Sequence, residues 1–414
     1  MEYGLIGEHL THSFSKEIHE KIAGYTYDLH SIAPDELASF LQSRAFRAVN
    51  VTIPYKEKVI PFLDEISPAA REMGAVNVVV VRSGKLCGYN TDYEGFIAMT
   101  RHAGISFGGR AVLILGAGGA AKAVQAAARH LGARTVVCAT RHPRSADQMP
   151  LNDLRDTERF EIIVNATPIG MYPQNDGRIA DFGAFSRLEG VLDCVYNPLR
   201  TILVQDALER GIPAEGGLYM LVSQAFKAIE IFTDTSLDPA AESRLYADLL
   251  MEKTNVVLTG MPSCGKTTVG KQIAEMLHKT FVDTDEEIRS KTGMDIPSFF
   301  EQYGEPAFRK VESDVLQEVA KRQNCVVATG GGAVLNPENV ARLKQNGRIY
   351  FLDRPLELLT PTSDRPLSSD RTALTRRFAE RYPIYVRTAD AIIRHDGRMQ
   401  DALDRIVEDL NQLS

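Results

Sequence analysis

A glycine-rich loop that contains a lysine and a threonine lies deep inside this 414-residue chain. Residues 254–268 read TNVVLTGMPSCGKTT, in which an apolar segment runs into the pattern GxxxxGKT. In loops of this kind backbone amides and the lysine hold phosphate oxygens, and the threonine hydroxyl binds Mg²⁺. The pattern therefore predicts triphosphate contacts from Gly260, Pro262, Ser263, Cys264, Gly265, Lys266, Thr267 and Thr268.

Two aspartates follow this loop. The loop by itself does not define the phosphoryl acceptor, which could be water, a protein or a small molecule. Asp283 and Asp285 alternate along the segment KTFVDTDEEI, a pattern that predicts a strand with both carboxylates on one face. We expect one of the two carboxylates to aid Mg²⁺ binding through water and the other to orient an acceptor hydroxyl. Further along lie segments rich in arginine and glycine: GEPAFRKVE (304–312), VVATGGGAV (326–334), DRPL (364–367) and ERYPIYVRTAD (380–390).

A second glycine turn is found in the first half of the chain. Residues 110–131 read RAVLILGAGGAAKAVQAAARHL, an apolar strand, a glycine turn and an alanine-rich helix, which is half of a βαβ nucleotide unit. The next strand, TVVCAT, ends at Thr140 and Arg141, with Arg144 beyond. An NAD site usually has an acidic residue at this point, so the arginines favour the 2′-phosphate of NADP.

Polar clusters upstream of this turn follow apolar, strand-like segments. Such strands alternate with helical stretches, a pattern that predicts an α/β layer whose strand-end loops converge on one cleft. Lys56 and Asp92 have the residue types of an acid/base pair, because a carboxylate beside an ammonium fixes its position and tunes its pKa. We expect hydrogen bonds to a polyol from Ser13, Ser15, Thr52, Asn77 and Asn90.

Length and charge predict two or three soluble domains. One hydrophobic core usually supports roughly 100–200 residues, fewer than this chain has. The first 252 residues carry 24 Lys and Arg against 31 Asp and Glu, and the remainder carries 23 of each, so neither part is a basic nucleic-acid binder. The start MEYGLIGEHL does not read as a signal peptide, and no segment has about 18 consecutive apolar residues. We therefore expect a cytoplasmic protein with neither membrane nor nucleic-acid partners.

Residues 1–250 resemble shikimate dehydrogenase. The resemblance rests on the segments SFS, NVTIPYK, GAVN, GYNTD, GAGGA, NATPIGM, DCVYNP and GLYMLVSQAF. It implies proton transfer by Lys56 and Asp92, and shikimate binding by Ser13, Ser15, Thr52, Asn77, Asp92, Tyr196 and Gln224. It also implies an NADP(H) site formed by Gly116, Ala117, Gly118, Gly119, Ala120, Thr140, Arg141, Thr167, Val195 and Gly217. The sequence departs from the family at Lys16, where proline commonly follows the serine pair, and at Glu20, where asparagine commonly follows the histidine.

Residues 253–414 resemble shikimate kinase in the order and spacing of their motifs. The resemblance implies that Asp285 orients the shikimate 3-hydroxyl, that Arg309 and Arg381 hold the carboxylate, and that Glu312 orients Arg309. It implies close approach of shikimate to Gly330, Gly331 and Gly332, and neutralisation of the transferring phosphate by Lys266 and by Arg365 from a closing lid. The lid segment TPTS is shorter than is usual in the family, and no arginine precedes RPL to pack on adenine.

The two halves together predict an α/β protein with two activities in sequence. We expect a two-lobed dehydrogenase over 1–252, with a substrate lobe of about 1–98 plus 217–250 and a Rossmann-like NADP lobe of about 99–216. A P-loop kinase with a parallel sheet should occupy 253–414. The expected cofactors are NADP(H), ATP and Mg²⁺, and the expected partners are 3-dehydroshikimate and shikimate. The sequence does not indicate an oligomeric state. Two alternatives stay open: a nucleotide-sensing module with weak kinase activity, and an NAD-dependent quinate/shikimate dehydrogenase.

Overall fold

The computed structural model of the chain describes residues 1–10, 13–145, 147–178, 181–360, 371–396 and 398–413. The chain divides into two compact units, Met1–Tyr246 and Ala247–Ser414. The division falls within a helix, Pro239–Lys253, in the segment whose apolar spacing predicts a helix. Among the helices in the described ranges, none has the length and apolar character needed to cross a membrane.

The first unit begins with a six-stranded mixed sheet in the order β2-β1-β3-β5-β6-β4. Its first three strands run parallel to one another, whereas β5 is antiparallel to both β3 and β6. The elements are β1 (Tyr3–Gly7), α1 (Phe14–Ala23), β2 (Tyr27–Ser31), α2 (Leu37–Ser43), β3 (Ala48–Val51), β4 (Glu65–Ile66), α3 (Pro68–Met73), β5 (Val78–Arg82), β6 (Lys85–Tyr89) and α4 (Asp92–His102).

A second sheet of the first unit is entirely parallel, in the order β12-β11-β10-β7-β8-β9. The elements are β7 (Ala111–Leu115), α5 (Gly119–His130), β8 (Thr135–Thr140), β9 (Gln148–Pro150), β10 (Ile162–Asn165), β11 (Gly190–Asp193), α6 (Ile202–Glu209), β12 (Ala214–Glu215), α7 (Leu218–Thr233) and α8 (Pro239–Lys253).

The continuous apolar run of β7 follows from its place between two layers of helices. Successive side chains of a strand point to opposite faces, so Val112 packs into a core with Val124 of α5, and Leu113 packs into a separate core with Leu203 of α6. The helix α7 returns to the first sheet, where Phe232 packs in the core of β1 and β5. This return brings Gln224, which lies on α7, to the side of the first sheet.

The second unit contains one five-stranded parallel sheet in the order β14-β15-β13-β16-β17. Helix α11 is kinked at Gly304, whose φ of 77° lies in the left-handed region that favours glycine. The elements are β13 (Asn255–Thr259), α9 (Lys266–Met276), β14 (Thr280–Asp283), α10 (Thr284–Thr292), α11 (Ile296–Ala320), β15 (Cys325–Ala328), α12 (Pro337–Asn346), β16 (Gly347–Asp353), α13 (Arg371–Thr388), β17 (Ala391–Arg394) and α14 (Met399–Asn411).

Candidate active sites

Lys56 and Asp92 form a short ion pair in the first unit. Lys56 Nζ lies 2.6 Å from Asp92 Oδ2, and the two side chains are only 16% and 8% exposed. Lys56 follows β3, and Asp92 opens α4, where the unpaired amides of the first helical turn favour a negative charge. The pair therefore places an ammonium, held by a buried carboxylate, beyond the carboxyl ends of β3 and β6.

Asn77 connects this ion pair to the neighbouring polar residues. Its Nδ2 donates to Asp92 Oδ1 and to Thr91 Oγ1, each at 3.0 Å, and its Oδ1 accepts from the backbone N–H of Thr91 at 2.8 Å. Gln224 Oε1 lies 3.4 Å from Thr91 Oγ1 and 3.5 Å from Asn77 Nδ2. Residues from a loop, a helix start and the distant helix α7 thus meet at one polar cluster.

Asn90 has a different role from the polyol contact that its sequence position predicts. Its Nδ2 donates to Ala75 O at 2.9 Å, and its Oδ1 accepts from the backbone N–H of Asp92 at 3.0 Å. The side chain is buried and both polar atoms bond to the protein backbone. Asn90 therefore shapes the turn that presents Asp92.

The serine pair lies at the start of α1. Ser13 caps the helix, because its hydroxyl accepts from the backbone N–H of Ser15 at 3.2 Å. Burial raises the pKa of Tyr196, although a hydrogen bond with Ser13 opposes this rise. The Tyr196 ring also lies 5.3 Å from that of Phe14. Thr52 is half-buried where β3 ends, and its backbone N–H donates to Ile6 O of β1.

The glycine turn after β7 lies against Lys56. Gly116 has a φ of 117°, and a Cβ added to it would lie 2.9 Å from Ala166 O, so only glycine fits there. A Cβ on Gly118 would meet no atom within 4 Å, which leaves open space beside the start of α5. A Cβ on Gly119 would lie 3.1 Å from Cδ of Lys56. The turn has room for a pyrophosphate and adjoins the lysine.

The remaining predicted NADP residues lie at the ends of parallel strands in the same sheet. Asn165 Oδ1 accepts from both the backbone N–H and the hydroxyl of Thr167, at 3.0 and 2.7 Å. The backbone N–H of Gly217 donates to Val195 O at 2.9 Å. Ala117 and Ala120 belong to the glycine turn and to α5, and Thr140 and Arg141 lie where β8 ends, with Arg141 exposed.

The phosphate loop of the second unit wraps around Lys266. The ammonium is buried and donates to Gly260 O and Met261 O, each at 2.9 Å. Left-handed or otherwise positive φ angles at Gly260 (142°), Ser263 (63°) and Gly265 (100°) turn the backbone between β13 and α9. Pro262, Cys264 and the exposed Thr268 complete the loop and the first turn of α9. The geometry suits a triphosphate held by amides at a helix N-terminus.

Asp283 contacts both the threonine of the phosphate loop and the backbone of Asp285. The Thr267 hydroxyl donates to Asp283 Oδ2 at 2.9 Å, and Asp283 Oδ1 accepts from the backbone N–H of Asp285 at 3.0 Å. The prediction that both aspartates leave one strand face is wrong. β14 ends at Asp283, which caps α10, and Asp285 lies in the first turn of that helix because the cap stops the strand.

Charged residues of this site lie close to the glycine triplet, Gly330, Gly331 and Gly332, which follows β15. A Cβ on Gly330 would lie 3.0 Å from Asp285 Oδ1 and 2.9 Å from Glu312 Oε1. One on Gly332 would collide with the Arg309 guanidinium. Close approach is possible here because these glycines have no side chain.

Arg309 and Arg381 are both held beside the triplet. Arg309 Nη1 donates to Glu312 Oε2 at 2.8 Å, and Arg381 Nη1 donates to Gly331 O at 2.9 Å. Burial raises the pKa of Glu312, and the adjacent Arg309 charge opposes that rise. Arg365, the predicted lid residue, lies outside the described residues, as does most of the short lid segment.

A curated relative of this chain is the NADP(+)-dependent shikimate dehydrogenase of Clostridium perfringens (strain SM101 / Type A). The two are 36% identical over 264 residues, which cover 60% of this chain and 97% of the relative. The chain belongs to the shikimate dehydrogenase family. The family model for the shikimate dehydrogenase substrate binding domain matches residues 5–79, and that for shikimate kinase matches residues 262–411. The chain is therefore a bifunctional enzyme with a dehydrogenase unit followed by a kinase unit.

Solved structures agree with this assignment. A chorismate mutase/shikimate 5-dehydrogenase fusion protein from Clostridium acetobutylicum has a TM-score of 0.57 at 34% identity, covering 60% of this chain and 96% of that one. The shikimate 5-dehydrogenase of Thermus thermophilus, in complex with NADP(H) and shikimate, has a TM-score of 0.54 at 30% identity, covering 60% and 99%. The predicted fold class is confirmed by these matches, the parallel sheets and the kinase family match.

Two residues that contribute to the site geometry were missed from the sequence. Thr91 of the dehydrogenase unit lies in GYNTD between Asn90 and Asp92, which were both predicted as site residues. A hydroxyl side chain between these two residues was the sequence signal that could have identified it. Tyr385 of the kinase unit is fully buried and donates to Gly331 O at 2.5 Å, beside Arg381. Its signal was the spacing of four residues from Arg381, which puts both on one helix face.

Asp193 gives the dehydrogenase unit a pH-dependent stability. It is fully buried, and burial raises its pKa to about 7 although Thr201, Val195 and Asn165 donate hydrogen bonds that oppose the rise. The folded unit thus binds more protons than the unfolded chain between about pH 4 and the folded pKa. The free energy of unfolding should therefore fall as pH rises through this window, by roughly 2–4 kcal/mol.

The variant Asp193→Asn should remove this slope, because a carboxamide fits the same partners and stays neutral. Urea unfolding of the whole protein, followed by circular dichroism at several pH values, tests this. The transition that shifts when NADP⁺ is added belongs to the unit that binds it. An equally steep slope in the variant would exclude Asp193 as the cause.

Proposed function

We propose that the dehydrogenase unit reduces 3-dehydroshikimate to shikimate with NADPH, and that the kinase unit phosphorylates shikimate at its 3-hydroxyl with MgATP. The observation that carries the proposal is the presence in one chain of two separate constellations with complementary chemistry. One is the Lys56–Asp92 pair beside a glycine turn. The other is a phosphate loop whose Thr267 meets Asp283, beside the arginine-lined glycine triplet.

In the dehydrogenase unit Lys56 donates a proton to the oxygen of the ketone that becomes the new hydroxyl. Asp92 holds the ammonium in place, and Asn77 fixes the Asp92 carboxylate through its other oxygen. NADPH supplies the hydride when bound at the glycine turn. Shikimate contacts are proposed for Ser13, Ser15, Thr52, Asn77, Asp92, Tyr196 and Gln224, and nucleotide contacts for Gly116, Ala117, Gly118, Gly119, Ala120, Thr140, Arg141, Thr167, Val195 and Gly217.

In the kinase unit Asp285 orients the 3-hydroxyl and accepts its proton, while Arg309 and Arg381 hold the shikimate carboxylate beside the glycine triplet. Thr267 and Asp283 would hold Mg²⁺, the threonine through its hydroxyl and the aspartate through water. Lys266 neutralises the charge of the phosphates. We propose the same role for Arg365, which belongs to the lid segment. ATP contacts are proposed for Gly260, Pro262, Ser263, Cys264, Gly265, Lys266, Thr267, Thr268 and Arg365.

We also propose residue limits for the domains and a cellular location for the enzyme. Residues 1–252 form the dehydrogenase, with a substrate lobe of about 1–98 plus 217–250 and a nucleotide lobe of about 99–216, and residues 253–414 form the kinase. The enzyme acts in the cytoplasm on small molecules, without nucleic-acid or membrane partners. The sensor alternative is not favoured, because a module that only binds nucleotide has no need for Asp285, Arg309 and Arg381 around the glycine triplet.

Arg141 is proposed to select NADPH over NADH. A charged hydrogen bond to the 2′-phosphate is worth about 1.5–3 kcal/mol, so Arg141→Ala should lower kcat/KM for NADPH about 10- to 100-fold. The value for NADH, which has no 2′-phosphate, should stay within about twofold. The matched control is Arg101→Ala, an exposed arginine on α4. Steady-state assays with both nucleotides measure the ratio, and an equal loss with both would contradict the role.

Two separate assays test the proposed function. Oxidation of NADPH in the presence of 3-dehydroshikimate reports the first activity, and release of ADP in the presence of shikimate and MgATP reports the second. Quinate in place of shikimate, with NAD⁺, tests the catabolic alternative. ATP binding without shikimate-dependent ADP release would favour the sensor alternative over a kinase.

A further inference from the structure

Lys16 and Glu20, the two departures from the family pattern, form one feature. Lys16 Nζ lies 3.1 Å from Glu20 Oε1, so the two residues are an ion pair one turn apart on α1. Lys16 also donates to Tyr27 O at 2.8 Å, and Glu20 Oε1 accepts from the backbone N–H of Tyr27 at 3.0 Å. Both backbone groups of Tyr27 are thus held by this pair.

The position of Tyr27 explains why such a pair is useful. β2 is an edge strand of the first sheet, so alternate residues present backbone groups that no strand pairs with. The Lys16–Glu20 pair satisfies these groups with charge-assisted hydrogen bonds, which are stronger than neutral ones. The pair thereby fastens α1, whose first turn carries Ser13 and Ser15, to the sheet.

The side chain of Tyr27 continues toward the dehydrogenase site. It is completely buried, and its hydroxyl donates to Asn50 Oδ1 at 2.7 Å. Asn50 is itself buried, and its Nδ2 donates to Asn77 O at 3.4 Å. Asn77 in turn donates to Asp92 Oδ1 at 3.0 Å. A chain of hydrogen bonds therefore leads from the Tyr27 hydroxyl to the carboxylate that holds Lys56.

We propose that Tyr27 is a positioning residue of the dehydrogenase, which sets the serine pair through its backbone and the Asn77–Asp92 cluster through its hydroxyl. This inference rests on the proposed function of the first unit. Tyr27 touches none of the reacting atoms. Its effect passes through α1 on one side and through Asn50 on the other.

The test is the variant Tyr27→Phe in the full-length protein, with Tyr25→Phe as the matched control. Tyr25 belongs to the same aromatic cluster, and its hydroxyl meets His19 Nδ1 at 2.7 Å instead of Asn50. Both variants lose one hydroxyl and one short hydrogen bond, so a general loss of packing affects both. Only Tyr27→Phe leaves Asn50 Oδ1 without its donor.

We expect Tyr27→Phe to lower kcat/KM for 3-dehydroshikimate about tenfold, because small displacements of positioned groups have large effects on rate. Both kcat and KM for 3-dehydroshikimate should change, whereas KM for NADPH and the shikimate-dependent ADP release of the same preparation should not. Tyr25→Phe should stay within about twofold of the unaltered enzyme. Equal kinetics for the two variants would overturn the proposal.

A second variant keeps the proposal testable if Tyr27→Phe does not fold. Glu20→Gln retains the size and shape of the side chain but removes its charge, and leaves the tyrosine hydroxyl in place. It should raise KM for 3-dehydroshikimate about threefold, since the serine pair is less firmly held, with little change in KM for NADPH. An unchanged KM would overturn the backbone half of the proposal. Absence of dehydrogenase activity in the unaltered protein would instead overturn the proposed function itself.

Discussion

Replacement of Lys56 by methionine is expected to lower the dehydrogenase kcat about 10²- to 10⁴-fold, the usual contribution of a positioned proton donor. Methionine fills nearly the same space and keeps the contact with the glycine turn, but has no proton to donate. The loss also leaves the buried Asp92 carboxylate without its 2.6 Å partner. Shikimate-dependent ADP release by the same preparation should be unaffected.

The control for this variant is Lys58→Met. Lys58 lies two positions away, is exposed, and contacts only the ring of Tyr55 among its described interactions. It should retain kcat within about twofold, since it does not reach the Asp92 cluster. Comparable losses in both variants, with intact thermal unfolding, would show that the effect reflects local charge and not proton donation by Lys56.

Replacement of Lys266 by methionine is expected to lower the kinase kcat on the order of 10²- to 10³-fold or more. A fixed cation aimed at transferring phosphate acts in a water-poor site, where electrostatic stabilisation is large. The ammonium is buried in the phosphate loop, whose carbonyls hold it in place. NADPH-dependent reduction of 3-dehydroshikimate should be unchanged.

Lys271→Met is the matched control on the same helix. Lys271 is exposed and lies over the Phe281 ring, outside the phosphate loop. Assays of ADP release at saturating shikimate compare the two variants. A Lys266→Met enzyme that keeps near-normal kcat, with only KM for ATP raised, would contradict a role in the transfer step and assign this lysine to binding alone.

Most of the fold followed from local pattern. The continuous apolar run of β7 predicts a strand, and the structure contains one whose alternate faces are buried in two cores. The wrong strand assignment at Asp285 had a visible remedy. Asp283 followed by Glu286 three positions later is an N-cap signature, and it outweighs the alternating pattern.

Contacts between distant parts of the chain could not be predicted from spacing. The return of α7 to the first sheet brings Gln224 to Thr91, and the placement of β2 and β3 in one sheet brings Tyr27 to Asn50. The type and position of one residue do not indicate which distant residue it will contact. Family resemblance supplied most of the site residues but not the Lys16–Glu20 pair, which departs from the family and is explained only by the backbone of Tyr27.

The two units of this chain are expected to act one after the other on the same metabolite. The most direct measurement incubates the whole protein with 3-dehydroshikimate, NADPH and MgATP and quantifies shikimate and shikimate 3-phosphate by mass spectrometry. We expect shikimate 3-phosphate to accumulate, Lys266→Met to stop the sequence at shikimate, and Lys56→Met to give neither product. Shikimate without its phosphate from the unaltered enzyme would contradict the kinase half, and the absence of both products would contradict the roles of Lys56 and Asp92.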